Sequence, residues 1–425
     1  MAEGRKIVLD ALLRVEEDGA YSNITLNSIF KNEKIGKTEK AFVSALFYGV
    51  LDRKITLDFY INKLSKIKVK KLEPITRQAL RMGIYQLYFM EKVPVSAAVN
   101  ESVELVKNSV EGKNCGFVNA VLRAAANEKI PLPTGSDLYS LSVRYSCPVF
   151  ILSELINDYG TEKTQEIIKA YLLPSKVRLR VNILKTTAKQ LFDSFSKAGI
   201  LLEKTEDADC FTAIEGIDFG NNKFFSDGLF YIQDKSSADC ALSLNAKAGE
   251  RVLDVCAAPG GKSFTVAMSM INQGEIVSCD LYENRVKLIE ASAKRLSISC
   301  IKPTVNDATV FNSRLGCFDA VLCDVPCSGF GVIRRKPEIK YKPINNFDEL
   351  EEIQYKILTT SSLYVKNGGR LLYSTCTLRK AENEKIVEKF LDENDGFCCE
   401  YMHTDFPCDK NDGFFRAMLR LTRVE

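Results

Sequence analysis

The chain has 425 residues, which is long for one domain and sufficient for two or three domains with separate hydrophobic cores. Hydrophobic residues make up 46% of it, yet no run approaches the roughly 20 apolar residues that a membrane-spanning helix needs. The net charge is +3 and there is one histidine, so a Ser-His-Asp triad or a multi-histidine metal site has only His403 to draw on.

The N-terminal residues predict an amphipathic helix that contains acidic residues, which distinguishes it from the uninterrupted apolar core of a signal peptide. The 14 cysteines are spread irregularly, so we expect reduced thiols and no disulfide framework. These features predict a cytoplasmic protein that binds neither a membrane nor a metal, and we expect it to be a monomer.

The spacing of apolar residues divides the chain into three parts. Up to about residue 130 they recur at intervals of three and four, which predicts an all-helical domain over residues 1–130. The stretch "IPLPTGSD" predicts a linker, and a strand-like "KVRLRVNIL" follows a helical stretch, so residues 131–234 are expected to form the linker and a small α+β segment. Residues 235–425 are expected to form the last domain, because strand and helix patterns alternate there.

Positive charge is concentrated in two stretches. "KITLDFYINKLSKIKVKK", residues 54–71, carries six lysines against one aspartate, and "VIRRKPEIKYK", residues 332–342, carries five cations against one glutamate. Both suit contacts with phosphates, since each cation placed on a phosphate releases counterions. A solvated helix face is the alternative interpretation of either stretch.

The C-terminal part repeats a pattern of short apolar strand, turn and helix. The strands are "RVLDVC", "EIVSCD", "FDAVLCD" and "GRLLYSTCT". Such alternation predicts an α/β fold with a parallel sheet covered on both faces. Ligands of these sheets bind beyond the carboxyl ends of the strands, so the chemistry is expected there.

Three consecutive strand ends suit a nucleoside-type ligand. The first is followed by "DVCAAPGGKSF", in which Gly260 and Gly261 allow close approach of the backbone before a helix begins. The stretch matches neither the P-loop nor the GxGxxG dinucleotide pattern. The next two strands lead into Asp280 and Asp307, which suit ribose hydroxyls and an adenine amine, although an acid at a strand end is as often a helix cap. The set predicts an adenosine-bearing cofactor without phosphates, of which S-adenosylmethionine is the commonest.

The remaining two strands end in "CDVPCSG" and "YSTCT". If they are neighbours, about 5 Å separates them, and Cys327 and Cys376 can face one pocket. Asp324 then lies with both thiols beside the methyl donor. We interpret the other cysteines as small buried hydrophobes.

At these residues the sequence resembles the RNA cytosine-5 methyltransferases, and specifically the ribosomal RNA small-subunit methyltransferase B family. The motifs that carry the resemblance are "QDKSSA", "DVCAAPGGKS", "DVPCSGFGVIRRKPEIK" and "YSTCTL", with "GIYQLYFMEKVPVSAAVNESVELVK" and "GFVNAVLR" in the N-terminal part. The resemblance implies a class I S-adenosylmethionine-dependent methyltransferase with a Rossmann-like, doubly wound and mainly parallel sheet. It also implies that an all-α NusB-like domain precedes this fold.

The resemblance assigns roles to the thiols, which their symmetric positions leave open. It implies that Cys376 is the nucleophile that attacks cytosine, that Cys327 assists product release, and that Asp324 holds the edge of the base beside the cofactor. The residues implied to bind the methionine end of S-adenosylmethionine are Cys256, Ala257, Ala258, Pro259, Gly260, Gly261 and Lys262. Asp280 is implied to bind its ribose and Asp307 its adenine.

The implied substrate is a specific cytosine of 16S ribosomal RNA, either in naked RNA or in an assembling small subunit. The α+β segment within residues 131–234 is then expected to help recognise RNA. The candidates for phosphate contacts are Lys66, Lys68, Lys70, Lys71, Arg334, Arg335 and Lys336. Tyr341 stands where the family often has tryptophan, and we expect it to stack on a base.

Three alternatives stay open. One is a cytosine-5 methyltransferase that acts on transfer RNA or on another ribosomal site, which the N-terminal domain disfavours. Another is a non-catalytic RNA-binding or antitermination-like protein, which has no need of both Cys327 and Cys376. The third is an amine-directed methyltransferase, for which a [DN]PPY-like loop is expected in place of "DVPC".

Overall fold

The computed structural model describes residues 2–32, 35–214, 217, 219–341 and 347–422. The chain divides into two compact units. The first contains the residues up to 172 together with those from 333 to 341, and the second contains residues 173–332 and those from 347 onward. No helix within the described residues is long and apolar enough to cross a membrane.

The N-terminal part of the first unit is helical. Its helices are α1 (Ala2–Glu17), α2 (Ser22–Asn32), α3 (Lys37–Asp52), α4 (Lys54–Leu64), α5 (Pro74–Phe89), α6 (Val95–Lys107), α7 (Cys115–Asn127), α8 (Leu138–Tyr145) and α9 (Val149–Ala170). Prolines mark two of the helix starts, since Pro74 is the first residue of α5 and Pro94 caps α6. The Asp137 carboxylate caps α8 by accepting from the Ser140 N–H at 3.0 Å.

The apolar faces of α1 to α7 share one core, in which Phe47 and Leu80 are fully buried. Beside it, Arg81 is 3% exposed and pairs with Asp58 at 2.7 Å and with Glu16 at 3.1 Å. Two acids therefore compensate the buried guanidinium. The helical prediction for this part of the chain is confirmed.

The second unit begins with a small antiparallel sheet. Its strands are β1 (Val177–Val181), β2 (Leu202–Lys204), β3 (Cys210–Ala213) and β4 (Phe230–Ile232), in the order β2-β3-β1-β4. Two helices accompany it, α10 (Ala188–Lys197) and α11 (Lys223–Ser226). Phe195 of α10 packs edge-on against Phe230 of β4 with the ring centroids 5.5 Å apart, so helix and sheet share a core.

A seven-stranded sheet follows, in the order β10-β11-β9-β8-β5-β6-β7. The strands are β5 (Arg251–Asp254), β6 (Glu275–Asp280), β7 (Ile301–Val305), β8 (Phe318–Asp324), β9 (Val365–Thr375), β10 (Phe397–Asp405) and β11 (Phe414–Leu421). The helices are α12 (Lys235–Ser243), α13 (Gly261–Ser269), α14 (Glu283–Leu296), α15 (Phe347–Ser362) and α16 (Glu384–Glu393). Adjacent residues of one strand contribute to different cores, as Val321 and Leu322 of β8 do, so both faces of the sheet are covered.

The sheet is mainly parallel, as the sequence predicts. Strands β5 to β9 pair in parallel, whereas β11 pairs antiparallel with β9, and β10 antiparallel with β11. The sequence patterns do not reveal this C-terminal hairpin. Most of β10 is exposed or half-exposed, so it lacks the continuous apolar run that predicts a buried parallel strand.

Candidate active site

The two thiols singled out in the sequence meet at the carboxyl ends of β8 and β9. The strands are parallel neighbours in a register that places Asp324 opposite Ser374. Three residues beyond Asp324 and two beyond Ser374, the sulfurs of Cys327 and Cys376 lie 3.2 Å apart and are part-buried. The predicted neighbourhood of the strands is therefore confirmed, and the thiols are within hydrogen-bonding distance.

The surroundings of the thiol pair favour a proton on Cys327. The hydrogen bond with Cys376 is the largest cause that raises the pKa of Cys327 well above its ordinary value, and burial acts in the same direction. The carboxylates of Glu382 and Asp324 raise this pKa further. These influences all favour the protonated form of the Cys327 thiol.

Asp324 holds a lysine and a hydroxyl beside the thiols. Lys262 donates to Asp324 Oδ2 at 2.7 Å, and Ser374 Oγ donates to Oδ1 at 2.8 Å. Burial alone would lower the pKa of Lys262, but the charge of Asp324 raises it overall, so the ammonium stays charged. The Lys262 nitrogen also lies 4.9 Å from the centroid of the Phe414 ring.

The loop after β5 carries the backbone donors of a helix start. Helix α13 begins at Gly261, and the first amide groups of a helix have no partners within it. Gly260 precedes it with φ of 107°, and a Cβ there would lie 2.3 Å from the Phe264 ring. Gln233 donates to the Gly261 carbonyl at 3.1 Å and accepts from Thr265 Oγ1 at 2.6 Å, so the "QDKSSA" motif supports this loop.

The rest of the loop is tied to the neighbouring strand β6 and the helix after it. The Ala257 N–H donates to the Cys279 carbonyl at 2.7 Å, and Arg285 donates to the Ala258 carbonyl at 2.9 Å. Pro259 follows a cis peptide bond from Ala258. Cys256 is half-buried, and burial raises the pKa of its thiol.

The acids predicted at the next two strand ends lie where the sequence places them. Asp280 ends β6, is 3% exposed, and faces Arg285 at 3.3 Å. Asp307 follows β7, and its Oδ1 accepts from the Thr309 N–H at 2.9 Å and the Thr309 hydroxyl at 2.7 Å. Since β5, β6 and β7 are consecutive in the sheet, the glycine loop and both acids share one edge.

Family profiles match most of the chain. The profile described as "16S rRNA methyltransferase RsmB/F" matches residues 241–420, the NusB family profile matches residues 2–127, and the ferredoxin-like domain of RsmF/B-like methyltransferases matches residues 147–215. The probable ribosomal RNA small subunit methyltransferase B of Bacillus subtilis is 39% identical over 92% of this chain and 89% of its own. The chain belongs to this 16S rRNA methyltransferase family.

Solved structures agree with the fold of the RsmB/F family member described here. The crystal structure of PH0851 matches 99% of this chain and 98% of its own with a TM-score of 0.84 at 24% identity. A methyltransferase homologue from Pyrococcus horikoshii matches 67% of this chain and 98% of its own, with a TM-score of 0.59 at 25% identity. The Rossmann-like methyltransferase fold with a NusB-like helical part, which the motifs implied, is confirmed.

A buried network behind the thiols of this family member has no counterpart among the residues that the sequence singled out. Glu382 is completely buried and accepts hydrogen bonds from Ser328, Gln354 and Arg379. In the sequence it stands in "RKAENEK", where alternating charges resemble a solvated helix start. Only the proximity of this stretch to "STCT" marks it as part of the site.

The lysines predicted to contact RNA lie in the first unit. Lys66 and Lys68 precede a short 3₁₀ turn that contains Lys70 and Lys71, and all four side chains are exposed. Within the part of the chain that the structure describes, none of the four forms an ion pair. They are open to a phosphate partner.

The second basic stretch is largely engaged within the first unit. Glu338 accepts from the Ser22 hydroxyl at 2.7 Å, and the Tyr341 hydroxyl donates to the Leu51 carbonyl at 2.9 Å. The Lys54 nitrogen lies 4.7 Å from the centroid of the Tyr341 ring. These contacts place Tyr341 in a packed environment, whereas the sequence predicted that its ring stacks on a base.

The arginines and lysine of the same stretch differ in exposure. Arg334 is 5% exposed, Arg335 is half-buried and Lys336 is exposed. Lys342, the last cation of the stretch, lies outside the described residues. The exposure therefore favours Lys336 over Arg334 as a phosphate contact.

Proposed function

We propose that the protein transfers a methyl group from S-adenosylmethionine to carbon 5 of a cytosine in 16S ribosomal RNA, through a covalent adduct between Cys376 and carbon 6 of the base. The observation that carries the proposal is the pair of thiols 3.2 Å apart beside Asp324. Methylation of ribosomal RNA is the activity of the family, and the thiol pair supports carbon 5 as the atom that is methylated.

Carbon 5 of cytosine needs covalent activation. It is too poor a nucleophile to attack a methyl sulfonium, but a thiolate that adds to carbon 6 turns the ring into an enamine that attacks through carbon 5. After the methyl group is in place, the proton on carbon 5 leaves, the bond between sulfur and carbon 6 breaks, and the ring double bond is restored. The reaction therefore needs a nucleophile and a group that assists release.

The thiol pair can fill both roles. The raised pKa of Cys327 favours a proton on its sulfur, and with the proton there the contact at 3.2 Å is a hydrogen bond that stabilises negative charge on Cys376. This supports Cys376 as the nucleophile. Cys327, at the same point of the pocket, is suited to handle the carbon 5 proton and the release of the product.

Asp324 and Lys262 are suited to hold the base. Each carboxylate oxygen of Asp324 accepts one hydrogen bond, from Lys262 and from Ser374, and each retains a second acceptor position. We propose that Asp324 accepts from the exocyclic amine of cytosine, or binds nitrogen 3 when that atom carries a proton. The charged Lys262 stabilises the carboxylate as the charge of the ring changes.

The residues around the glycine loop fit S-adenosylmethionine. This cofactor supplies the methyl group when it is bound. The buried Asp254 Oδ1 has no hydrogen-bond partner within the described residues, and the start of α13 presents backbone donors beside it. We propose that residues 256–262 hold the methionine end, with Asp280 at the ribose and Asp307 at the adenine.

The RNA must present an unpaired or flipped base, because a stacked base cannot expose carbon 6 to a thiol. The exposed Lys66, Lys68, Lys70 and Lys71 are suited to the surrounding phosphates, and Lys336 is a further candidate. Naked RNA and an assembling small subunit are both compatible with these contacts. The cytoplasmic location and the monomeric state remain predictions from the sequence.

Replacement of each thiol tests the proposal. Cys376→Ala is expected to reduce transfer of labelled methyl groups from S-adenosylmethionine to 16S ribosomal RNA to background, because the nucleophile is lost. Cys327→Ala is expected to accumulate a protein–RNA adduct that survives denaturing gel electrophoresis, because release is blocked. The matched control is Cys317→Ala, which removes an exposed cysteine and should behave as the unaltered protein.

Two results would contradict the proposal. Near-normal turnover by Cys376→Ala excludes a covalent role for this residue. An adduct that accumulates with Cys376→Ala and not with Cys327→Ala means that the two roles are reversed.

A further inference from the structure

Glu382 is a buried carboxylate with an unusual number of donors. It ends a 3₁₀ turn (Lys380–Glu382) just before α16, and its side chain is 0% exposed. A carboxylate withdrawn from water is strongly destabilising unless charge-assisted hydrogen bonds compensate it. The hydrogen-bond partners of Glu382 therefore indicate which parts of the fold this carboxylate holds together.

Each oxygen of Glu382 accepts two hydrogen bonds. Oε2 accepts from the Ser328 N–H and from Gln354 Nε2, both at 2.9 Å. Oε1 accepts from the Ser328 hydroxyl at 2.5 Å and from Arg379 Nη1 at 3.0 Å. Two of these four bonds come from Ser328, the residue that directly follows Cys327.

The network holds the peptide groups on both sides of Cys327. Gln354, while donating to Glu382, also donates to the carbonyl of Pro326 at 2.9 Å. Ser328 is held through both its amide and its hydroxyl. The backbone at Cys327 is thus fixed on both sides by Glu382. Ser328 is bound to this carboxylate directly, and Pro326 is bound to it through the side-chain amide of Gln354.

The same network reaches the loop of Cys376. The Ser328 hydroxyl lies 2.7 Å from the hydroxyl of Thr377, which directly follows Cys376. Asn383, the next residue after Glu382, accepts from Thr375 Oγ1 at 2.6 Å and donates to the Thr377 carbonyl at 3.2 Å. The residues flanking Cys376 are therefore bound to the same turn that carries Glu382.

We propose that Glu382 is a positioning residue that holds the Cys327 and Cys376 loops against one another, so that the two thiols stay within hydrogen-bonding distance. Within the described residues Glu382 forms a hydrogen bond with neither sulfur, and it positions the two loops through Ser328, Thr377 and Gln354. The proposal rests on the proposed thiol chemistry for its catalytic consequence. Its prediction about the distance between the two thiols does not depend on which reaction the protein catalyses.

The chemistry of the network requires a carboxylate. Glutamine at this position has one oxygen, and its NH₂ group would face either Arg379 and the Ser328 hydroxyl or the Ser328 N–H and Gln354. At least one obligate donor then loses its acceptor. Alanine removes all four acceptor positions. Function is therefore expected to be highest with glutamate, lower with glutamine and lowest with alanine.

The test measures turnover and the proximity of the thiols in the full-length protein. Glu382→Ala is expected to lower kcat for methyl transfer by about 100-fold, the effect of displacing reacting groups by about 1 Å, and Glu382→Gln by less. The KM and the calorimetric affinity for S-adenosylmethionine should stay unchanged. The control is Glu351→Gln, which removes the charge of the other carboxylate that pairs with Arg379, at 3.1 Å, and so separates the loss of an Arg379 ion pair from the loss of Glu382.

Thiol proximity is measured with phenylarsine oxide, which condenses with two thiols to form two As–S bonds and one water. The part of the phenylarsine oxide binding that is lost in Cys327→Ala is the part due to the pair of thiols. Glu382→Ala is expected to weaken this fraction by at least about tenfold, because the second As–S bond depends on the effective concentration of the second thiol. Glu351→Gln should retain it.

Each outcome decides the proposal. Unchanged arsenical binding and unchanged kcat in both Glu382 variants overturn it, and so does a loss of cofactor affinity that parallels the loss of turnover. If Glu382→Ala does not fold, Glu382→Gln and Ser328→Ala provide the same comparison. Weakened arsenical binding together with full activity of Cys376→Ala supports the positioning role and refutes the proposed function instead.

Discussion

Asp254, the last residue of β5, is a carboxyl group that the fold keeps away from water. It is 1% exposed, and its Oδ2 accepts from the Ser263 hydroxyl at 2.6 Å. Burial raises the pKa of Asp254 from its ordinary value of 3.8 to about 7, and the hydrogen bond from Ser263 offsets only part of this effect. Between these two values the folded state binds a proton that the unfolded chain has released. The stability that Asp254 contributes is therefore present at low pH and lost as the pH rises through about 7.

Asp254→Asn is expected to remove this pH dependence. Relative to the variant, the unaltered protein should lose stability on the order of a few kcal/mol between pH about 4 and pH about 8. The new amide NH₂ lacks an acceptor, which costs about 1–3 kcal/mol at every pH and does not change the slope. Urea unfolding of the cofactor-free protein at a series of pH values measures the difference. A constant difference across the series would contradict a raised pKa at this position.

At the scale of elements, the loops after β8 and β9 are joined by a close glycine contact. The Gly331 N–H donates to the Cys376 carbonyl at 2.9 Å, and the Gly413 N–H donates to the Gly331 carbonyl at 2.8 Å. A Cβ on Gly331 would lie 2.1 Å from the Gly413 carbonyl oxygen. The start of β11 thus supports the loop that carries Cys376, which gives the C-terminal hairpin a part in the site.

Gly331→Ala is expected to displace this loop, at a cost of about 1–3 kcal/mol of stability and a loss of about 100-fold in methyl transfer. The affinity for S-adenosylmethionine, measured by calorimetry, should change less than turnover does, because Gly331 is bonded to the loop after β9 and is not one of the residues proposed to hold the cofactor. The control is Gly116→Ala in α7, where an added Cβ meets no atom within 4 Å. Full turnover by Gly331→Ala would show that the loop tolerates the shift.

At the scale of the whole molecule, the exposed lysines and the thiols belong to different units. The exposed Lys66, Lys68, Lys70 and Lys71 belong to the first unit, while the thiols and the glycine loop belong to the second. The sequence could locate this charge but could not separate exposed cations from buried ones. Lys340 is an example of a buried cation, since it is 2% exposed and donates to the carbonyl of Asp52 at 2.7 Å.

Replacement of the four exposed lysines by glutamine is expected to weaken binding of 16S ribosomal RNA and to flatten its salt dependence. Each lost phosphate contact lowers the slope of log K against log salt by about 0.7 to 0.9. Filter binding at several salt concentrations measures the slope, and Lys107→Gln serves as the control because that exposed lysine pairs with Glu104 at 3.0 Å. An unchanged slope would contradict the predicted phosphate contacts and favour the alternative interpretation of the stretch as a solvated helix face.

Much of the fold and of the site was predictable from local patterns. The helical N-terminal part, strands β5 to β9 and the positions of Cys327, Cys376, Asp280 and Asp307 at strand ends all follow from apolar periodicity and short motifs. Strand β10 and the role of Glu382 were not predictable. The first is only partly buried, and the second depends on partners 28 and 54 residues away in sequence.

The sequence by itself determined which residue types stand at the ends of the parallel strands, because the position of each strand along the chain and its apolar periodicity are local properties. The tertiary structure alone decided that Cys327 and Cys376 lie 3.2 Å apart, that burial and neighbouring groups raise the pKa of Cys327, and that Tyr341 is packed within the helical unit. The physical reason is that distance, burial and charge at a side chain depend on neighbours from remote parts of the chain. Sequence spacing does not encode these neighbours.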